Sequence, residues 1–216
     1  MEKIINKTSL TDDICEYLRS SIFTFQFKPG DQINESKLIK ELGISRSPIR
    51  EAIRVLEGEG LIERIARKGV FVKKITLKEV KNIFSIRAVL EALAAEQAAP
   101  NFTDKDLLYL ERIFTKMKQA VSKINYKSYM KLNFEFHQSF RRIADNRNLE
   151  KLIENLGRQS SGFLFTTVSL SDSLDASLNE HKKILDAFFK KDPNLAAKMV
   201  KEHVTKGGKR AQKFFK

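Results

Sequence analysis

SKLIKELGISRSPIREAIRVLEGEGLIERIARKGVFV, residues 36–72, is the stretch whose punctuation decides the fold. Leu38, Ile39 and Leu42 recur at helical spacing. Gly43 follows them, and without a Cβ it suits a tight turn between two helices. Ser47 and Pro48 predict the next helix start: serine as N-cap, proline at a first-turn position whose N–H would be unpaired anyway. Ile49, Ala52, Ile53 and Leu56 then fall at i, i+3, i+4 and i+7 and make one buried face, with Arg46, Arg50 and Arg54 on the other. Gly58 and Gly60 end that helix. Two short β-like runs, Leu61-Ile62 and Val70-Phe71-Val72, flank Arg67, Lys68 and Gly69 as a basic hairpin tip.

A helix anchored by aliphatic residues and carrying arginines near its start is what major-groove reading requires, because the N-terminal residues of a recognition helix meet base edges and phosphates. The basic tip reads as a wing touching backbone or minor groove. An ordinary helical hairpin with solvated arginines would account for the arginine spacing alone. It does not account for the ordered set of turn glycine, Ser-Pro start, arginine face, closing glycine and wing.

The remaining composition bounds the rest of the molecule. A chain of 216 residues accommodates one sizeable core or two smaller ones, and two fit better here. No apolar run reaches membrane-spanning length and the first residues, MEKIINKTSL, lack the apolar core of a signal peptide, so a cytoplasmic protein without a membrane partner is expected. The single Cys15 lies in an apolar helical pattern with Ile14, Leu18 and Ile22 and reads as a small buried residue. The net charge of +13 is not the DNA signal it resembles: residues 1–75 hold 14 Lys/Arg against 11 Asp/Glu, and residues 76–216 hold 26 against 16. Most of the excess lies outside the predicted DNA reader, as compositional bias or as an attraction for anions.

Beyond Thr76, a plausible N-cap, helical periodicity takes over, which divides the chain into domains 1–75 and 76–216. Six segments are predicted, at about 77–99, 103–123, 126–144, 148–169, 172–191 and 193–214. Pro100-Asn101 closes the first, Thr103 and Asp106 form a capping-box start, and Asp192-Pro193 supplies N-cap and first helical position for the last. The expected fold is mainly α: a winged helix-turn-helix with a small β-hairpin, then an all-α six-helix antiparallel bundle.

All three histidines of the chain lie in that bundle. Asn133 and His137 are four apart and share a helix face. His181 and His203 stand 11 residues before and 11 after Asp192, so a hairpin folded there brings them to one level, each roughly 15 Å from the turn. If the third bundle helix packs on that hairpin, Asn133, His137, His181 and His203 make a site for a divalent transition metal, zinc first, with nickel or manganese as alternatives. A histidine on an amphipathic helix is more often a satisfied core residue, and it is the joint pattern that favours the metal.

Residues from about Thr8 to Lys74 resemble the N-terminal domain of the GntR family of bacterial transcription regulators, most closely over Leu42-Gly43-Ile44-Ser45-Arg46-Ser47-Pro48-Ile49-Arg50-Glu51-Ala52. The resemblance implies operator contacts from Ser45, Arg46, Ser47 and Arg50, and a wing at Arg67 and Lys68 whose Gly69 lets the backbone approach the groove. Many relatives have arginine where this chain has Ser36, a departure that bears on operator sequence. Residues 77–210 resemble the FCD ligand-binding domain of FadR-type members, in the six-helix VanR-like branch. The matching stretches are IFSIRAVLEALAAEQAA from Ile83, NFEFHQSFRRIADNRNLEKLI from Asn133 and EHKKILDAFFKKDPNLAAKMVKEH from Glu180.

In metal-binding members an Asp or Asn and three histidines hold the ion, which implies Asn133, His137, His181 and His203 here. A small organic acid bound beside the metal is implied as effector, with Arg87 as the guanidinium that clamps its carboxylate. The competing reading of Arg87 is an i, i+4 pair with Glu91. Arg158 and Asn155 follow as effector-binding candidates, with Arg141, Arg142 and Ser160, since arginines on long helices are most often solvated. The implied function is a ligand-responsive regulator, a repressor in most such systems. It would act as a homodimer on a palindromic double-stranded operator, and not as an enzyme. Two alternatives stand beside it: a metal-dependent hydrolase with a DNA-binding appendage, and a regulator whose bundle only dimerises.

Overall fold

The computed structural model describes residues 9–23, 26–74, 76–168 and 171–213, with side chains described outside 159–173. They fall into two compact units divided between 75 and 76.

The first unit is built from helices α1 (Leu10–Phe23), α2 (Glu35–Leu42) and α3 (Arg46–Gly58) and strands β1 (Gln32–Ile33), β2 (Ile62–Ile65) and β3 (Gly69–Val72). Asn34 caps α2 by accepting from the Lys37 amide, and Gly43 ends it at φ 65°, the left-handed conformation that favours glycine. Helix α3 begins earlier than the Ser-Pro signal predicts: Ser45 is the N-cap, Arg46 the first helical residue, and Pro48 the third. The proline is still tolerated, because the first-turn amides have no acceptor within the helix. Ile49, Ala52, Ile53 and Leu56 are buried as the spacing requires and pack with Ile14, Leu18, Leu38, Ile33, Ile62, Val70 and Val72. Cys15 lies in the same core, and burial raises its thiol pKa, which suits packing rather than reactivity.

The strands form one antiparallel sheet in the order β1-β3-β2. Strand β1 carries no signal of its own in the sequence, having two residues; it exists because Gln32 and Ile33 pair with Phe71 and Val70 across the sheet.

The second unit is helical: α4 (Leu77–Ala98), α5 (Asp104–Ser122), α6 (Tyr126–Ile143), α7 (Arg147–Val168), α8 (Ser171–Phe189) and α9 (Pro193–Gln212). The described ends lie within about two residues of those read from the sequence, because the caps are local chemistry. Thr76 with Glu79 and Thr103 with Asp106 form reciprocal capping boxes. Asp192 accepts from the Leu195 amide ahead of Pro193. The predicted end residues 169 and 214 and the side chain of Ser160 lie outside what is described. Helix α4 runs along α9, and Gly208 permits the close approach: a Cβ there would stand 2.6 Å from Phe84 Cβ. This contact draws the Arg87 and Glu91 segment of α4 toward the His203 and Arg210 segment of α9.

Candidate functional site

The arginine surface of the first unit is open. Ser45, Arg46, Ser47, Arg50 and Arg54 are exposed, and the Ser45 hydroxyl makes no capping bond, so it is available to an external acceptor. Arg50 Nε donates to Glu35 Oε2 at 3.2 Å, and Arg64 lies 3.8 Å from the other oxygen of the same carboxylate. These are weak, solvated pairs that a phosphate can displace. In the wing, Ile62–Ile65 pairs with Gly69–Val72, leaving exposed Arg67 and Lys68 at the tip. Gly69 has a local reason to be glycine: its φ is 114°, and a Cβ would meet Gln32 Nε2 at 2.8 Å, where that amide donates to the Lys68 carbonyl.

In the second unit three imidazoles converge. His137 from α6, His181 from α8 and His203 from α9 are all buried, and one ring nitrogen of each lies within 4.8 Å of the others. Each Nδ1 is anchored outward. His137 Nδ1 donates to Glu91 Oε2 at 2.7 Å, His181 Nδ1 to the Ser177 carbonyl at 2.7 Å, and His203 Nδ1 to Glu180 Oε2 at 2.8 Å. Those acceptors can only receive a proton, so in the neutral rings every Nε2 carries a lone pair. The Nε2 atoms of His137 and His203 face each other at 3.3 Å, and His181 Nε2 is buried without a partner. Facing lone pairs repel unless a cation stands between them. The donor set therefore fits a transition metal, with the outward hydrogen bonds that fix imidazole ligands in such sites.

The electrostatics of the surrounding groups agree. Burial pushes the His137 imidazole down to about 4 against the pull of Glu91, and burial with the neighbouring histidines holds His181 well below its usual range. Both rings are therefore neutral near pH 7. Burial alone would raise the Glu91 carboxyl, but Arg87, His137 and Arg141 together hold it well below the carboxylate range. Glu180 is likewise carried to about 2, against its own burial, by hydrogen bonds from Arg210 and His203. Arg210 grips it with two parallel bonds of 2.9 Å.

The other sequence-predicted residues fall as follows. Asn133 is half-buried on α6, one turn before His137. Arg87 is buried and makes the i, i+4 pair with Glu91, at 2.7 Å from Nη2 to Oε1. Half-buried Arg158 bonds exposed Asn155 on its own helix, and Arg142 is exposed. Arg141, expected to be solvated, is instead buried, its Nε donating to the His137 carbonyl at 3.1 Å. The helix around it is enclosed by its neighbours, which spacing on one helix does not report.

Both units of the chain are similar to known proteins. The FCD domain family matches residues 82–206, and the bacterial regulatory proteins of the gntR family match residues 10–72. The chain belongs to the GntR family and carries an FCD domain. This GntR regulator is 33% identical to the uncharacterized HTH-type transcriptional regulator YdhC of Bacillus subtilis (strain 168), over 86% of its own length and 84% of the relative. It is 26% identical to the HTH-type transcriptional repressor RspR of Escherichia coli (strain K12), over 94% and 90% of the two chains. Among solved structures, E. coli McbR/YncC superposes with a TM-score of 0.85 at 22% identity, covering 97% of this chain and all of the other, a likeness of fold. The protein is thus a transcription regulator and not an enzyme; regulators of this kind bind DNA operators, and FCD domains bind small-molecule effectors. Among the described residues no helix is long and apolar enough to cross a membrane.

Three residues that complete the GntR regulator's buried site escape a reading by motif. Glu91 is visible only as a partner for Arg87, since its bond to His137 joins positions 46 apart. Ser177 contributes a backbone carbonyl, which no side-chain pattern announces. Arg210 had a usable signal: it stands two turns after His203, on the same helix face.

Proposed function

We propose that this regulator is a homodimeric, cytoplasmic repressor whose grip on a palindromic operator is set by a small carboxylate bound beside a divalent metal in the helical domain. The observation that carries the reading is the set of three buried imidazoles, each anchored through Nδ1 and converging through Nε2. Zinc is the first choice, because a set of three imidazole nitrogens with an oxygen donor suits it, with nickel and manganese next. His137, His181 and His203 would hold the ion, with Asn133 as the oxygen donor from α6. The ion supplies positive charge and an open position for an anionic ligand.

The chain's own residues supply the rest. Glu91 and Glu180 fix the His137 and His203 rings, and each carboxylate is held in place by an arginine. Arg87, with Arg158 and Asn155 from α7, is proposed to grip the effector. Ser45, Arg46, Ser47 and Arg50 are proposed to read the operator, with Arg67, Lys68 and Gly69 on the minor-groove side. Control follows from linkage: an effector that binds one dimer geometry better shifts the population of recognition-helix spacings, and equal binding would change nothing.

A melting-temperature screen of small carboxylates, with and without zinc, nickel and manganese, tests the reading together with operator gel shifts. The expected result is a metal-dependent stabilisation by at least one acid, which also releases the operator. A chain that melts identically with every metal and acid, yet still binds operator as a dimer, would leave the bundle as a dimerisation device and refute the sensor.

A further inference from the structure

The tip of the wing is held by a residue that belongs to neither strand of its hairpin. Between β2 and β3 the chain reverses at Ala66 and Arg67, closed by the Lys68 amide donating to the Ile65 carbonyl at 3.0 Å. Arg67 takes a φ of 62°, a left-handed conformation uncommon for a residue with a Cβ, and Gly69 stands at 114°. The peptide joining Lys68 to Gly69 is the joint at which this tip can turn, because glycine accepts either sign of φ. Its carbonyl oxygen is the atom that receives the Gln32 amide hydrogen, at 2.9 Å.

The place of Gln32 is fixed by its neighbours. Ile33 is buried in the core, so strand alternation turns Gln32 to the outer face. Its position pairs with Phe71, and bonds from the Gly30 amide to the Val72 carbonyl (2.8 Å) and from the Val72 amide to the Asp31 carbonyl (2.9 Å) hold β1 on β3. From that anchored backbone the side chain reaches a carbonyl 36 positions further along the chain. An exposed bond of this kind adds modestly to folding stability, but it selects one orientation of the Lys68-Gly69 peptide. Arg67 and Lys68 are the exposed cations on the turn so held. Two long side chains on a turn free to reverse would lose more entropy on meeting DNA than the same two on a turn already set.

We infer that Gln32 is a positioning residue for DNA binding: its amide pre-sets the wing tip so that Arg67 and Lys68 reach the DNA together. Gln32 itself needs no contact with DNA. The inference rests on the proposed contact of Arg67 and Lys68 with the operator.

Fluorescence anisotropy of the full chain at several salt concentrations tests it, on a duplex that the wild type selects from a random-sequence library. Gln32→Ala and the similarly long Gln32→Met, which cannot donate, should each weaken binding about 3- to 10-fold with unfolding midpoints near that of wild type. Each should also flatten the slope of log affinity against log salt by roughly 1, although neither changes the charge of the chain. In the Arg67→Ala/Lys68→Ala background the same substitutions should cost less than about 2-fold, since the clamp then has no cation to aim. Gln32→Met keeps the test usable if the alanine variant does not fold. Wild-type affinity and salt slope in the Gln32 variants, where Arg67→Ala/Lys68→Ala does weaken binding, overturns the inference and leaves the wing reading standing. A loss that persists in full in the Arg67→Ala/Lys68→Ala background overturns it as well. Wild-type affinity of Arg67→Ala/Lys68→Ala itself removes the wing contact, and the inference with it.

Discussion

The arginines of α3 and the histidines of the bundle are both polar groups proposed to hold ligands, yet they stand in opposite surroundings. Arg46 and Arg50 are exposed, and the bond from Arg50 to Glu35 is a surface pair that contributes little to stability. A DNA phosphate or base edge can supply the order these side chains lack, so local helix chemistry suffices to present them. The imidazoles have no such latitude. They are buried, and each needs an anchor on Nδ1 drawn from another turn or another helix. Exposed recognition groups can be changed without touching the fold, whereas buried ones are bound up with it.

The largest effect expected from this contrast is at the histidines. His203→Ala should lower zinc affinity on the order of 100-fold or more and abolish any zinc-dependent rise in melting temperature. Metal analysis and melting curves check this, and undiminished zinc content would break the assignment of the cluster. Next come the arginines. Arg46→Ala and Arg50→Ala should each weaken operator binding by roughly 1–3 kcal/mol while the unfolding midpoint and the oligomeric state are unchanged. Loss of binding only through unfolding would erase the distinction between the two regions.

A third test uses pH. The Glu180 carboxyl is held at about 2 in the fold, below its ordinary 4.5. Because the folded value lies below the unfolded one, its stabilisation is complete above about 4.5 and is lost as pH falls toward about 2. Denaturation midpoints of Glu180→Gln should therefore fall less steeply than wild type across this window. Parallel curves would show that Arg210 and His203 do not hold the carboxylate in solution. The smallest effect sharpens the comparison within one helix: Arg142→Ala, at the exposed neighbour of buried Arg141, should move the unfolding midpoint by less than about 0.5 kcal/mol. A larger loss would mean that exposure is a poor guide to which arginines matter.

How far the molecule was legible follows the range of the interactions involved. The bundle helices could be placed because Thr76, Thr103 and Asp192 cap them through bonds to amides three residues on. Helix α3 starts two residues before the Ser47-Pro48 signal, with Ser45 at the N-cap although its hydroxyl makes no capping bond. The meeting of His181 and His203 was readable from symmetric spacing about Asp192, and their ring centres lie 4.3 Å apart. Strand β1, the bond from Glu91 to His137 and the burial of Arg141 were not readable, because each depends on a distant partner or on neighbouring helices.

By itself, then, the sequence determined the helices, their caps, the apolar face of α3, the exposed arginines and wing, and the histidines to be gathered. These are effects of periodicity and of bonds spanning a few residues. Only the tertiary structure decided which nitrogen of each imidazole turns inward, that Glu91 and Glu180 hold two of the rings, and that Arg141 is enclosed while Arg142 meets solvent. The reason is physical: the tautomer of a ring and the pairing of a buried charge are set by whatever lies across the core, and only the close approach of packed helices, such as α4 on Gly208 of α9, puts a partner there.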